Sequence, residues 1–208
     1  GNLEEAKQIY LDILTLTPSN TGARERVSSL YQQQGDTKNA LYHLDLLIKD
    51  DFDNADYLLR KAALQLEAGQ RADAEKTLSI VRNFINDDAG KLIAYADQAR
   101  RVDNDENALD AMARAYEIAN TSTFVTLRYV SLLLDMQNND KAQSLLTTIP
   151  ANQQQNPVYY FLKGRLAASK GNSERAIKEF EKALDVDATF AQAFVAIYNY
   201  ALNDQFVD

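Results

Sequence analysis

Residues 157–190 read PVYYFLKGRLAASKGNSERAIKEFEKALDVDATF. Tyr160, Gly164 and Ala167 are spaced by four and three residues, and Ala176, Phe180 and Ala183 repeat that spacing. Such spacing puts each trio on one face of a helix. Gly171 stands between the trios, where a tight helix-to-helix turn needs a residue for which positive φ is cheap. Asn156 is a favoured helix cap, and Pro157 follows at the first helical position, where its missing N–H costs nothing. The stretch reads as helix, turn, helix.

The same frame runs through the whole chain. A step of 34 residues joins Ala6, Ala40, Ala74, Ala108, Ala142 and Ala176 without insertion or deletion. Alanine fills roughly one position in ten, so five further coincidences arise on the order of once in 10⁵ trials. Four residues after each alanine stand Tyr10, Leu44, Leu78, Met112, Leu146 and Phe180, and seven after it Ile13, Leu47, Val81, Ala115, Ile149 and Ala183. Five before it stand Gly1, Gly35, Gly69, Asp103, Gln137 and Gly171, at the turn. Twelve before it are Ser28, Ala62, Ala96, Val130 and Gly164, mostly small, as close helix packing requires. Asn20, Asn54, Asp88, Ser122 and Asn156 recur where each first helix should be capped. Each helix is about 13 residues long and cannot bury its apolar face alone; stacking neighbours does so.

These columns resemble the tetratricopeptide repeat (TPR) family. Tyr160, Gly164, Ala167, Gly171, Ala176, Phe180 and Ala183 stand where that pattern has an aromatic, Gly, Tyr or small, Gly, Ala, an aromatic and Ala, and Pro18 supplies its closing proline. Phe52, Asn86, Asn120, Gln154 and Ala188 replace that proline elsewhere, and Lys61 and Lys163 replace a usual leucine. The resemblance implies an all-α, right-handed superhelical solenoid of antiparallel helix pairs over 1–208. Its parts are a half repeat (1–20), full repeats at 21–54, 55–88, 89–122, 123–156 and 157–190, and a terminal helix with a tail (191–208). A chain that opens on a second helix is expected to be a piece of a longer array.

Two places depart from regularity. In AQAFVAIYNYAL (191–202), Phe194, Ile197, Tyr198 and Ala201 are expected to pack back on 157–190, with Val195, Tyr200 and Leu202 on the other face. That helix reads either as a cap or as a face awaiting a further repeat. Ile149-Pro150 falls late in a second helix and is expected to end it a turn early, since proline cannot donate to the ladder and disfavours helix in its predecessor. A looser junction is the favoured reading of that break, and a hinge the alternative.

Composition narrows the function. Without cysteine there is no thiolate ligand or cysteine nucleophile, and one histidine leaves no multi-histidine metal site. The net charge of −8 disfavours nucleic acid and anionic lipid. No apolar run approaches the roughly 20 residues that cross a bilayer, so direct membrane insertion is not expected. No cofactor, metal or catalytic residue is expected. Asp103-Asn104-Asp105-Glu106 lacks the glycine and distal glutamate of a calcium loop and reads as a helix cap. Asp50-Asp51 and Asp87-Asp88 read as solvated turn residues, and His43, one before the Leu44 column, as a surface histidine. A pentatricopeptide-type RNA reader would stride by 35 and be basic; this chain is neither.

In the resembled family the concave groove is lined by the second, fifth, ninth, twelfth and thirteenth residues of first helices. The fifth positions here are Glu25, Leu59, Ile93, Leu127, Phe161 and Val195. Phe124 and Val158, with Leu66, Leu134 and Leu202, broaden the apolar stripe. Arg100, Arg101 and Arg165 share that surface with Asp56, Glu67, Asp97 and Asp135. Two readings stand together: these residues anchor an amphipathic or extended peptide, or they pack between adjacent first helices. The arginines either clamp an anionic group or pair with their acidic neighbours. The Lys/Asn/Arg set of a chaperone-tail clamp is missing. The expected function is a non-catalytic scaffold that binds a protein or peptide segment. The alternative is an architectural module of a larger bacterial cell-envelope protein, similar to the long TPR proteins of exopolysaccharide export and exosortase systems. The compartment is left open between periplasm and cytoplasm.

Overall fold

A computed structural model describes residues 2–205, with side chains through residue 200. Among the described residues it contains twelve α-helices, one short 3-10 turn and no strand. The chain divides into two compact units, Gly1–Arg114 and Ala115–Asp208. Their boundary falls within a helix, α7 (Asp105–Ile118), and not at Ile149-Pro150.

The first unit holds α1 (Leu3–Leu16), α2 (Thr21–Gln33), α3 (Thr37–Asp50), α4 (Ala55–Glu67), α5 (Arg71–Val81), α6 (Ala89–Arg101) and the start of α7. The second holds the rest of α7, α8 (Thr123–Asp135), α9 (Asn139–Thr148), α10 (Pro157–Ser169), α11 (Ser173–Val186) and α12 (Ala191–Gln205). Within each unit one rule governs packing. A first helix lies on its own second helix (α2 on α3, α4 on α5, α8 on α9, α10 on α11) and beside the next first helix (α4 by α6, α8 by α10).

Local chemistry sets the ends. Asn20, Asn54, Asp88, Ser122 and Asn156 each accept a hydrogen bond from a backbone N–H in the first turn of the helix that follows, at 2.9–3.4 Å. These bonds satisfy donors that a helix start leaves unpaired. Asn104 likewise accepts from the Asn107 N–H at 3.2 Å, so the acidic run before α7 is a cap. The turn residue between paired helices is left-handed throughout: Gly35, Gly69 and Gly171 at φ 73–76°, and Asp103 and Gln137 at 58°. The demand for positive φ is met by glycine three times and imposed on a side-chain-bearing residue twice. Pro150 ends α9 at Thr148: Ile149 is extended, and residues 151–153 form the 3-10 turn.

The alanine column is the floor of the core. Ala40, Ala74, Ala108, Ala142 and Ala176 are all fully buried, and the columns four and seven residues on are buried from Leu44 and Leu47 to Phe180 and Ala183. At the last helix pair the two facing columns compensate in volume. Gly164 faces Phe180 so closely that a Cβ on the glycine would lie 2.3 Å from the ring. In the same two columns stand Ser28 with Leu44, Ala62 with Leu78, Ala96 with Met112, and Val130 with Leu146. The largest second-helix residue goes with the residue that has no side chain. Ser28 adds a hydrogen bond, donating from Oγ to the Ala40 carbonyl at 2.9 Å.

Two expectations fail. His43 is buried, not on the surface. It lies three residues after Ala40 and four before Leu47, which places it on the packing face, stacked on Tyr31 (5.7 Å between ring centroids) and edge-on to Tyr42 (5.2 Å). Its column, His43, Thr77, Ala111, Leu145 and Glu179, is buried throughout. Each member has a counterpart twelve residues earlier on the first helix: Tyr31 stacks on His43, and Thr77 Oγ1 donates to Gln65 Oε1 at 2.8 Å.

The second failure is in α12. Ala193 is buried there, and Ala196, Ile197 and Tyr200 pack with it on Ala167, Ala176, Phe180 and Ala183, but Phe194 and Tyr198 are 65% and 55% exposed. One stride back, Phe194 and Tyr198 correspond to Tyr160 and Gly164, on the side of a first helix that meets its own second helix. Among the described residues no second helix follows α12. Tyr200, expected on the other face, packs instead on the core against Phe180. The expected packing of Ala201 and the expected outer-face position of Leu202 lie outside the described side chains.

Candidate functional site

In the first unit the proposed stripe is only partly accessible. Leu59 on α4 is buried, while Leu66 on α4 and Ile93 on α6 are half-buried. The polar groups along it are engaged. The Tyr57 hydroxyl donates to a Glu25 carboxylate oxygen; burial first, and then this bond, pushes the phenol up to about 12. Lys91 Nζ lies 2.8 Å from Asp56 Oδ2. Arg100 and Arg101 are exposed at the end of α6, with Arg100 Nε 3.8 Å from Asp105 Oδ1.

In the second unit Leu127 and Leu134 on α8 are buried, and so act as packing residues. Phe161 on α10 is half-buried against Phe180 and Phe190, at ring distances of 5.5 and 5.6 Å. Phe124 is different. It is 64% exposed at the start of α8, one stride from half-buried Val158 on the adjoining α10. Arg165 reaches from α10 to α8, where Nη2 donates to Asp135 Oδ1 at 2.6 Å and Nη1 to Ser131 Oγ at 3.4 Å. Those bonds show that positions nine and thirteen of neighbouring first helices share one surface. Val195 on α12 is 54% exposed. The twelve expected positions therefore separate into buried Leu59, Leu127 and Leu134, half-buried Leu66, Ile93, Val158, Phe161 and Arg165, and exposed Arg100, Arg101, Phe124 and Val195.

Among the described residues no cluster of three or more His, Asp or Glu side chains could hold a metal, and no helix is long and apolar enough to cross a membrane. The sequence reading missed a cleft in the second unit among α9, α10 and α11, of about 190 Å³. Its signal was present in Lys163, set where the repeat favours leucine.

A run of paired helices with caps, left-handed turn residues and an alanine floor at a constant stride defines an all-α helical-repeat protein. The chain matches the tetratricopeptide repeat family over residues 15–205 and belongs to that family. No curated protein matches it in sequence. Among solved structures it is similar to YrrB, a TPR protein with an unusual peptide-binding site, with a TM-score of 0.67 and 15% identity over 90% of this chain and 96% of that one. It is also similar to MamA (TM-score 0.63, 21% identity, 91% and 96% covered) and to PilF of Pseudomonas aeruginosa (0.66, 13%, 97% and 99%). At these identities the likeness is one of fold. The fold is that of protein-interaction scaffolds in general.

Proposed function

We propose that this chain is a non-catalytic scaffold that takes a peptide or protein segment with apolar anchors against the face of its first helices. Phe124 carries this reading. It is a large aromatic residue, mostly in water, on a helix whose other apolar positions from Val125 to Leu134 are buried. Half-buried Val158 stands one stride on, on the adjoining α10, and the Arg165–Asp135 pair lies about three helical turns further along the same two helices, so that an apolar anchor at one end and a polar pair at the other suit an amphipathic segment. The peptide-binding site in the name of YrrB is consistent with this use of the fold.

Affinity capture with the wild type and Phe124→Asp tests the face. Burying a phenylalanine is worth roughly 1.5–3 kcal/mol, so the variant should release a bound partner by about tenfold or more. Because Phe124 makes little core contact, the variant should keep the wild-type circular dichroism spectrum. A variant that is equally helical and holds the same partner as tightly would overturn the assignment. Leu127 is unsuitable for this purpose: it is buried, and a charge there would disrupt packing.

A further inference from the structure

The cleft among α9, α10 and α11 has a composition that the scaffold reading does not use. Its floor is apolar, built from Leu146, Tyr159, Leu166 and Ala167. Its margin carries Lys163, Lys170 and Arg175, with no carboxylate among the lining residues of a chain whose net charge is −8.

The repeat explains why the space exists. One stride earlier the places of Lys163, Ala167 and Lys170 are held by Tyr129, Leu133 and Met136, and Tyr129 and Leu133 are fully buried. Residues 157–170 thus replace three large apolar side chains by one methyl group and two cations. About 190 Å³ is opened, against the roughly 30 Å³ that a water molecule occupies. This is room for a branched or aromatic side chain.

The three cations are not equivalent. Lys163 Nζ lies 3.3 Å from Glu179 Oε2 and 5.3 Å from the Tyr159 ring centre, so its charge is already answered. The Lys170 ammonium donates to Gln143 Oε1, a neutral acceptor. Arg175 is in no ion pair among the described residues, and its guanidinium offers a fork that matches a carboxylate.

We propose that this cleft binds a carboxylate carried on an apolar body, with the body against Leu146, Leu166 and Ala167 and the carboxylate between Lys170 and Arg175. The ligand chemistry is shared by the C-terminal residue of a peptide and by a small free acid. The cleft is lined by α9, by the start of α11 and by positions of α10 other than Val158, Phe161 and Arg165, so the proposal does not depend on the stripe that carries Phe124.

Isothermal titration of the whole chain with N-acetyl-leucine, N-acetyl-phenylalanine and a tetrapeptide ending in leucine tests it, with the C-terminal amide of that peptide as control. The expected result is binding of at least one free acid, weakened about tenfold or more by amidation or by Lys170→Gln/Arg175→Gln. Ala167→Leu, which restores the side chain found one stride earlier, should abolish binding by filling the space. Binding of the peptide alone identifies a chain terminus as the source, whereas binding of the acetylated amino acids as well identifies a small carboxylate; both support the site. No binding by any acid, equal binding of acid and amide, or unchanged binding by the exposed double variant would overturn it. Lys170 and Arg175 are exposed, so that double variant keeps the test valid even if Ala167→Leu fails to fold.

Discussion

His43 is a buried imidazole whose Nδ1 has no hydrogen-bond partner. Burial, and then the positive charge of Arg24, holds its pKa below the usual 6.5. Tyr31 and Tyr42 pack their rings against it, and Lys7 Nζ stands 4.8 Å from the Tyr31 ring centre. Between the folded pKa and about 6.5 the unfolded chain binds a proton that the folded chain refuses. The resulting stability is complete above about pH 6.5 and is lost as pH falls through the folded value. Urea unfolding at a series of pH values should show this slope in the wild type and a flatter one in His43→Gln. Identical slopes in the two proteins would remove His43 from the account.

The helix pair α10–α11 is set by the close approach of Gly164 to the ring of Phe180. Gly164→Ala would place a methyl group 2.3 Å from Cε1 of Phe180, whose ring is buried and packed against Phe161. Such overpacking costs typically 1–3 kcal/mol, roughly the range expected here. In the first unit the same two columns hold Ala62 with Leu78, both buried. Adding Phe180→Leu to Gly164→Ala recreates that combination, so the double variant should be more stable than the sum of the two single losses, by roughly 0.5 kcal/mol or more. Strict additivity in urea denaturation would mean that the columns do not compensate as the geometry requires. This volume relation was visible in the chain as a glycine and a phenylalanine sixteen residues apart. Its necessity was not, because only the packed helices set the distance between them.

In a repeat protein each helix pair is stabilised mainly by its neighbours, so order depends on how many sides of a helix are covered. Helix α1 has no buried residue, and Leu3, Ile9 and Leu16 on it are exposed. Helix α12 leaves Phe194, Val195 and Tyr198 in water. By contrast α3 buries Ala40, His43, Leu44 and Leu47, and α8 buries eight residues from Val125 to Leu134. Amide hydrogen exchange should therefore show least protection in α1 and α12, and greatest in the helices covered on both sides within each unit. Uniform protection from α1 to α3 would show that unfolding is not graded in this way.

The order of helices, their caps and the bend after Thr148 were all legible in the chain. Each rests on local chemistry: an Asn, Asp or Ser at a helix start, a turn that needs positive φ, or a proline that cannot donate, repeated at one stride. Which side chains remain available was decided only on folding. Leu59, Leu127 and Leu134 occupy stripe positions like those of Ile93 and Phe124, yet the first three are buried and Phe124 lies in water. Burial at such a position depends on volumes brought by helices twelve, sixteen or thirty-four residues away. His43 and the cleft beside Ala167 show the same limit, since a one-dimensional pattern marks the face of a helix but not how completely its neighbours fill it.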